Sequence, residues 1–289
     1  MREGSSGSMN VADAMTPRSE VVTVTIPGTR DDALEYLQEQ AFSSVPVIKE
    51  TDDGEEFRGI ISRDALIESP DEDQLALLVE EVPAISGDTS IEAAAQVMVE
   101  DGERRLPIVD GELKGIITVT DVIRSIANGN VDGDKVVDEL ANRDINCVYE
   151  GTPLTVAERE LSHANVPYGV VLGDDGDMSG MLTEVDIIAV ARVVEGEDDT
   201  GDSIANQDDD WAWEGIKAVG GRYMPTRNVE LPAEPVHEFM TADVVTVNKR
   251  RTAEEAAQLM IEHDIEQIPL LSGDELTGIV RDIDLLRGL

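Results

Sequence analysis

Hydrophobic positions along this chain follow two rhythms. In the first, apolar residues recur at helical spacing. Ile91, Ala94, Ala95 and Met98 keep the i, i+3, i+4, i+7 interval, and Ala256, Ala257, Met260 and Ile261 form a matching stripe. In the second, short apolar runs are built around a proline: "SVPVI" at Pro46, "RLPIV" at Pro107, "NVPYGVV" at Pro167 and "QIPLL" at Pro269. Each run is followed by a glycine and two apolar residues, at Gly59-Ile60-Ile61, Gly115-Ile116-Ile117, Gly180-Met181-Leu182 and Gly278-Ile279-Val280. Fifteen to eighteen residues ahead of each proline stands a threonine (Thr29, Thr89, Thr152 or Thr252) placed to open a helix. In the first and last copies, "VADAMTP" or "VHEFMTA" leads into "EVVTV" or "DVVTV", a β-branched strand signal.

The pattern predicts a unit of strand, helix, strand, strand, helix within about 55 residues, repeated four times. Polar turns join the two central strands: "KETDDGEEFR", "DGE", "GDDGDMS" and "SGDE". A β-α-β crossover is right-handed, which puts both helices on one face of a small sheet. The other face is bare, so the units are expected to pair, and four units make two pairs.

Composition narrows the function classes. The 289 residues include 41% hydrophobic but only 3% aromatic residues, so the cores are built of Val, Ile, Leu and Ala. Sixty-two Asp and Glu against 22 Lys and Arg give a net charge of -40, and only five of the basic residues are Lys. Such a chain repels phosphate backbones and anionic membranes, so no nucleic acid and no membrane partner is expected. Acids spread along the whole sequence match the cytosolic proteins of salt-accumulating halophiles, where concentrated salt screens their repulsion. A single cysteine, Cys147, excludes an internal disulfide framework and fits a reducing compartment. No apolar run approaches the roughly 20 residues of a membrane span. The N-terminal "MREGSSGSMN" reads as a flexible leader without an apolar signal segment, so a cytoplasmic location is expected.

An apolar run around proline followed by a glycine and two apolar residues recurs four times in the same order, extended to the full G-h-h-[ST]-x-x-D in repeats two and three, and this ordering resembles the CBS domain family (cystathionine β-synthase repeats). The resemblance implies an α+β fold of four β-α-β-β-α CBS repeats paired into two Bateman modules. These form a flat pseudo-symmetric disk, similar in architecture to the γ subunit of AMP-activated protein kinase. The expected organisation is a leader at 1–10, repeats at 11–70, 71–130, 131–194 and 236–289, and an acidic linker with a basic loop at 195–235. No catalytic domain and no required cofactor are implied.

The candidate chemistry lies in the Thr-x-x-Asp of these motifs. A threonine followed three residues later by an acid is first of all a capping box, and Thr118 with Asp121 reads that way. A carboxylate at the same place can also accept hydrogen bonds from a ribose cis-diol. The family resemblance implies that role for Thr118 and Asp121 in repeat two and for Thr183 and Asp186 in repeat three. Repeat four reads "GIVRDID", with Asp284 in register but Arg281, a phosphate-binding side chain, in place of the hydroxyl residue. Repeat one reads "GIISRDAL", with Ser62 matched, Ala65 where the acid should fall and Asp64 one step early. The resemblance also implies phosphate contacts from basic residues ahead of the Leu-Pro strand. Repeat two places Arg104 and Arg105 there, against Ser43-Ser44, Ala164-Asn165 and Glu266-Gln267 in the other copies. Two adjacent arginines in so acidic a chain make repeat two the expected place for a phosphate-bearing ligand, with surface ion pairing to acids such as Glu103 as the alternative.

The segment "GIKAVGGRYMPTRNV" at 215–229 lacks acids and carries Lys217, Arg222 and Arg227 beside Gly220 and Gly221. Two readings stand: a loop presenting Arg222 or Arg227 to a phosphate, or a linker anchored by Trp211, Trp213 and Tyr223. His163, His237 and His263 lack metal-ligand spacing, and Asp174, Asp175 and Asp177 lack the bidentate acid of a calcium loop. The expectation is therefore a non-catalytic sensor that binds AMP, ADP or ATP in clefts between paired repeats and acts on an unidentified regulated protein, with association into a homodimer by family analogy. Alternatives are a sensor of S-adenosylmethionine, a ligand-free scaffold and, more remotely, a metal-dependent hydrolase.

Overall fold

The computed structural model describes residues 9–33, 44–52, 54–62, 65–66, 72–164, 166–193, 216–218, 223–225 and 229–289. Repeat one contributes β1 (Thr16–Pro17), β2 (Val24–Ile26), β3 (Ser44–Thr51) and β4 (Gly54–Ser62). Repeat two contributes α1 (Ile91–Asp101), β5 (Arg105–Asp110), β6 (Glu112–Thr118) and α2 (Val119–Ala127), and α3 (Val137–Leu140) follows. Repeat three is β7 (Cys147–Tyr149), α4 (Leu154–Ala164), β8 (Tyr168–Leu172), β9 (Met178–Thr183) and α5 (Glu184–Val190). Short strands follow at β10 (Arg192–Val193), β11 (Ile216–Ala218), β12 (Tyr223–Pro225) and β13 (Val229–Glu230). Repeat four is β14 (Val247–Asn248), α6 (Ala253–His263), β15 (Gln267–Ser272), β16 (Glu275–Arg281) and α7 (Asp282–Leu286). The chain divides into two compact units: Met1–Arg143, Val245–Gly273 and Thr277–Leu289 in one, Asp144–Val244 and Asp274–Leu276 in the other.

The sheets follow the predicted plan. β2 runs parallel to β3 and β3 antiparallel to β4, and the order β7-β8-β9 repeats that arrangement. The motifs "EVVTV" and "DVVTV" give shorter strands than expected, pairing only from Val24 and Val247 onward. In three hairpins the register breaks just after the residue facing the motif glycine: Val47 opposite Gly59, Ile108 opposite Gly115 and Val171 opposite Gly180. This register corrects the sequence alignment of repeat three. Val170 opposite Met181 is the counterpart of Pro107 opposite Ile116, so Pro167-Tyr168, and not Ala164-Asn165, stand where Arg104-Arg105 stand in repeat two. Pro167 misled the alignment because it precedes its strand, whereas Pro107 lies inside one.

Each sheet is completed by the lead-in segment of another repeat. β1 pairs with β6, Thr16 opposite Ile116. The lead-in of repeat two returns to β4, with Glu80 N–H donating to the Ile60 carbonyl (2.8 Å) and Ile60 N–H to the Glu80 carbonyl (3.0 Å). In the same way Asn142 pairs with Ile279 in the first unit, and Thr241 with Met181 in the second. This explains the motif glycine, which the sequence left unexplained. A Cβ on Gly59 would lie 2.3 Å from the Glu80 carbonyl oxygen, and one on Gly115 the same distance from that of Thr16. On Gly180 it would lie 2.8 Å from the Thr241 oxygen, and on Gly278 3.1 Å from that of Asn142.

The lead-ins also satisfy helix starts, where the first N–H groups lack intrahelical partners. Ile91 N–H donates to the Met9 carbonyl, Arg30 to Asp73, Leu154 to Glu234 and Ala253 to Lys135. Helix α1 is capped by the Ser90 hydroxyl and not by Thr89, one residue earlier, while Thr252 caps α6 in a capping box with Glu255. The predicted stripe of α1 is buried in full, but α6 turns Ala253, Ala256, Ala257 and Met260 inward and leaves Ile261 37% exposed. In the first unit these two stripes share one core with Val122, Ile123, Ile126, Leu285 and Leu286. The helices of repeats two and four thus pack on each other, with alanines at the contact permitting close approach. A second core gathers Val45, Val47, Ile61, Leu75 and Leu78, and the other unit has its own around Val148, Leu154, Leu161, Val171 and Leu182. Among the described residues, no helix is long and apolar enough to cross a membrane.

Candidate functional site

At the end of each hairpin's second strand the chain turns directly into a helix, and the Thr-x-x-Asp motif falls on that turn. In repeat two, Thr118 is the N-cap of α2: its N–H (2.9 Å) and Oγ1 (2.7 Å) donate to Asp121 Oδ2, and Asp121 N–H donates back to Oγ1 (3.4 Å). Repeat three repeats the geometry, with Thr183 N–H (2.8 Å) and Oγ1 (2.7 Å) on Asp186 Oδ2. Both pairs are therefore capping boxes, as their spacing predicted. In repeat one, Ala65 N–H donates to Ser62 Oγ (3.0 Å) with no acid at the fourth position, and Asp64 lies outside the described residues.

The second carboxylate oxygen separates the copies. A carboxylate offers about four acceptor positions, two per oxygen. Asp121 Oδ1 accepts from Arg124 Nη1 (2.9 Å), leaving one position, and the residue is 8% exposed. The residue that follows Asp186 by the same interval is Ala189, and among the described residues no donor meets Asp186 Oδ1. Asp284 is 0% exposed and saturated. Its Oδ2 accepts from Arg281 N–H (3.1 Å) and Nε (2.9 Å), and its Oδ1 from Arg281 Nη2 (3.0 Å) and Arg287 Nη1 (2.8 Å). The sequence reading missed Arg124 and Arg287. An arginine one helical turn after the acid, i to i+3, was the signal available.

The two arginines at the start of β5 take different partners. The Arg104 carbonyl accepts from Val119 N–H (2.9 Å), which fixes the residue beside the Thr118 turn. Its guanidinium, however, reaches across to repeat four, where Nη1 donates to Asp282 Oδ1 (3.3 Å), Nη2 binds Asp282 Oδ2, and Glu266 Oε1 lies 3.3 Å away. Burial by itself lowers the Arg104 pKa, but the hydrogen bond and charge of Asp282 outweigh it and the net shift is upward. Burial raises the Glu266 carboxyl despite the nearby Arg104. Arg105 donates to Ser44 Oγ (3.1 Å) of repeat one, the residue at its own register position, and burial plus Arg104 lower its pKa. Arg222 and Arg227 lie outside the described residues, as do Trp211 and Trp213.

Other chemistry is sparse. Among the described residues no three His, Cys, Asp or Glu side chains stand together as metal ligands. Desolvation pushes the Cys147 thiol up, the reverse of what activates a nucleophile.

An uncharacterized protein of Methanocaldococcus jannaschii is 28% identical over 279 residues, which are 96% of this chain and 61% of that protein. This chain thus spans about three fifths of that relative's length. The crystal structure of an uncharacterized conserved protein from Pyrococcus horikoshii, 27% identical, matches with a TM-score of 0.68 over 97% of this chain and 99% of that one. A second M. jannaschii protein, one proposed as an archaeal homolog of γ-AMPK, shares the fold at a TM-score of 0.62 and 20% identity, over 97% of this chain and 99% of that one. The family profile for the CBS domain matches residues 11–72, 76–128, 137–192 and 236–289. With four matches tiling most of its length in tandem, the chain belongs to the CBS domain family.

Proposed function

We propose that this protein is a non-catalytic regulatory sensor that binds an adenosine nucleotide (AMP, ADP or ATP) at the strand-to-helix junctions of its CBS repeats. The observation that carries the reading is the acceptor capacity left at Asp186. Its Oδ2 is committed to the cap, and no described residue donates to Oδ1, which can take a ribose hydroxyl without displacing a protein bond. Asp121 offers one position, and a second opens if Arg124 swings outward; that side chain is 54% exposed. The relation of one structural relative to γ-AMPK supports a regulatory role for the fold. The ligand state would be read by a regulated protein or by a second copy of the chain, in the cytoplasm of a salt-accumulating cell. The repeats are drawn at 11–70, 71–130, 131–194 and 236–289, with the leader at 1–10 and the linker at 195–235.

One observation favours S-adenosylmethionine as a second reading. The open junction carries Pro167-Tyr168 where repeat two has arginines, and Arg104 of repeat two is held by Asp282. A ligand-free scaffold is the remaining alternative, supported by the capping role that Asp121 and Asp186 already fill. Titration calorimetry with AMP, ADP, ATP and S-adenosylmethionine in concentrated KCl separates the three. Heat with a nucleotide supports the sensor, heat with the thioether nucleoside alone supports the second reading, and no heat from any of them leaves the scaffold.

A further inference from the structure

The three acidic junctions form a graded series that rests on one alignment. Arg124 and Arg287 follow their aspartates by the same interval, so repeats two and four match at that position. They differ at the N-cap, where Thr118 stands in one and Arg281 in the other. Thr118 spends one hydroxyl on Asp121. Arg281 spends two guanidinium nitrogens on Asp284, one on each carboxylate oxygen, at 2.9 and 3.0 Å. Two donors spread over both oxygens is the pattern a ribose cis-diol would present. We infer that Arg281 acts as a built-in ligand substitute that closes repeat four, so that this residue, and not Asp284, sets how many ligands the chain can hold. The inference rests on the nucleoside-binding reading above and deepens it.

Three features support the closure. Asp284 has no exposed surface, whereas Asp121 keeps 8%. Its four acceptor positions are filled, so an incoming hydroxyl must displace a charged donor. The Arg281 side chain is itself only 33% exposed, with Nε and Nη2 both bonded to Asp284. A guanidinium fork is pre-organised for this bidentate contact.

Arg281→Thr recasts repeat four in the arrangement of repeat two, and Arg281→Thr with Arg287→Ala recasts it in that of repeat three. Calorimetry with AMP, ADP, ATP and S-adenosylmethionine should show one more site per chain in R281T than in the parent protein, with tighter binding at the added site in the double variant. Circular dichroism establishes that the variants are folded. The reciprocal change, Thr183→Arg, supplies the same plug to repeat three and should remove one site; it decides the matter if R281T does not fold. A folded R281T with parental stoichiometry overturns the inference, and so does a T183R protein that binds as the parent does. No binding by parent or variants overturns both this inference and the sensor reading. Parental binding with an unchanged R281T overturns this one alone.

Discussion

Replacing Asp186 with asparagine separates the two tasks assigned to this residue. The carboxylate holds the start of α5 through Oδ2, which accepts from Thr183 N–H (2.8 Å) and Oγ1 (2.7 Å). An asparagine carbonyl can accept the same two bonds, so the cap survives. The charge at the helix start is lost, which costs about 0.3–1 kcal/mol. The position of Oδ1 becomes an amide nitrogen, and a ribose hydroxyl there exchanges a charge-assisted bond of about 1.5–3 kcal/mol for a neutral one of about 0.5–1.5. The difference, about 1–2 kcal/mol, weakens binding roughly 5- to 30-fold. Calorimetry in concentrated KCl measures the affinity, and thermal melting without ligand measures the cap. Asp186→Ala provides the contrast, because it removes cap and ligand contact together and costs about 1 kcal/mol of stability as well. If D186N melts near the parent and binds with the parent's affinity, Oδ1 does not touch the ligand and the assignment of repeat three fails.

Two further predictions concern the frame around the junctions. Gly115→Ala places a Cβ 2.3 Å from the Thr16 carbonyl oxygen and 2.8 Å from Met15 Sδ, so β1 must move off β6. Overpacking of this kind costs about 1–3 kcal/mol, and thermal melting should show a loss of several degrees; an unchanged melt would mean the lead-in is not held there. Glu158 is buried on α4, four residues after the helix start, where α1 and α6 carry Ala95 and Ala257. Burial raises its carboxyl above the ordinary range, with Arg159 and His163 offsetting part of the effect. A raised folded pKa means that the native state holds the proton more tightly than the unfolded one. Stability from this group is therefore full below the unfolded carboxyl pKa and lost as pH climbs through the folded value. Glu158→Gln should raise the melting temperature near neutrality, with the gain vanishing toward about pH 4; a gain that does not change with pH would contradict the assignment.

Local pattern carried much of this protein. Helical stripes at Ile91–Met98, prolines within strands, and glycines at a fixed place after them are short-range signals, and together they set four repeats of a strand-helix-hairpin-helix unit. The Thr-x-x-Asp spacing fixed both capping boxes, because a cap is satisfied within one helical turn. The errors were of a particular kind. Pro167 corresponds to Pro107 in sequence although strand register puts Val170 there, since one proline reads the same before a strand as inside it. Thr89 and Ser90 are adjacent hydroxyls that look alike until the backbone dihedrals are known, and Ser90 is the one that caps α1.

Only tertiary structure decided the rest. The motif glycines are required by carbonyl groups of another repeat, whose approach depends on chain segments tens of residues away. Arg104 stood in the sequence beside Thr118 as a phosphate ligand, but its guanidinium meets Asp282, which lies 178 residues further along the chain. The aspartates of repeats two, three and four differ in how many donors surround them, although all three sit at the same motif position. Sequence can assign a residue to a junction because the junction is local, but whether its acceptors are open depends on which side chains folding brings within hydrogen-bond reach.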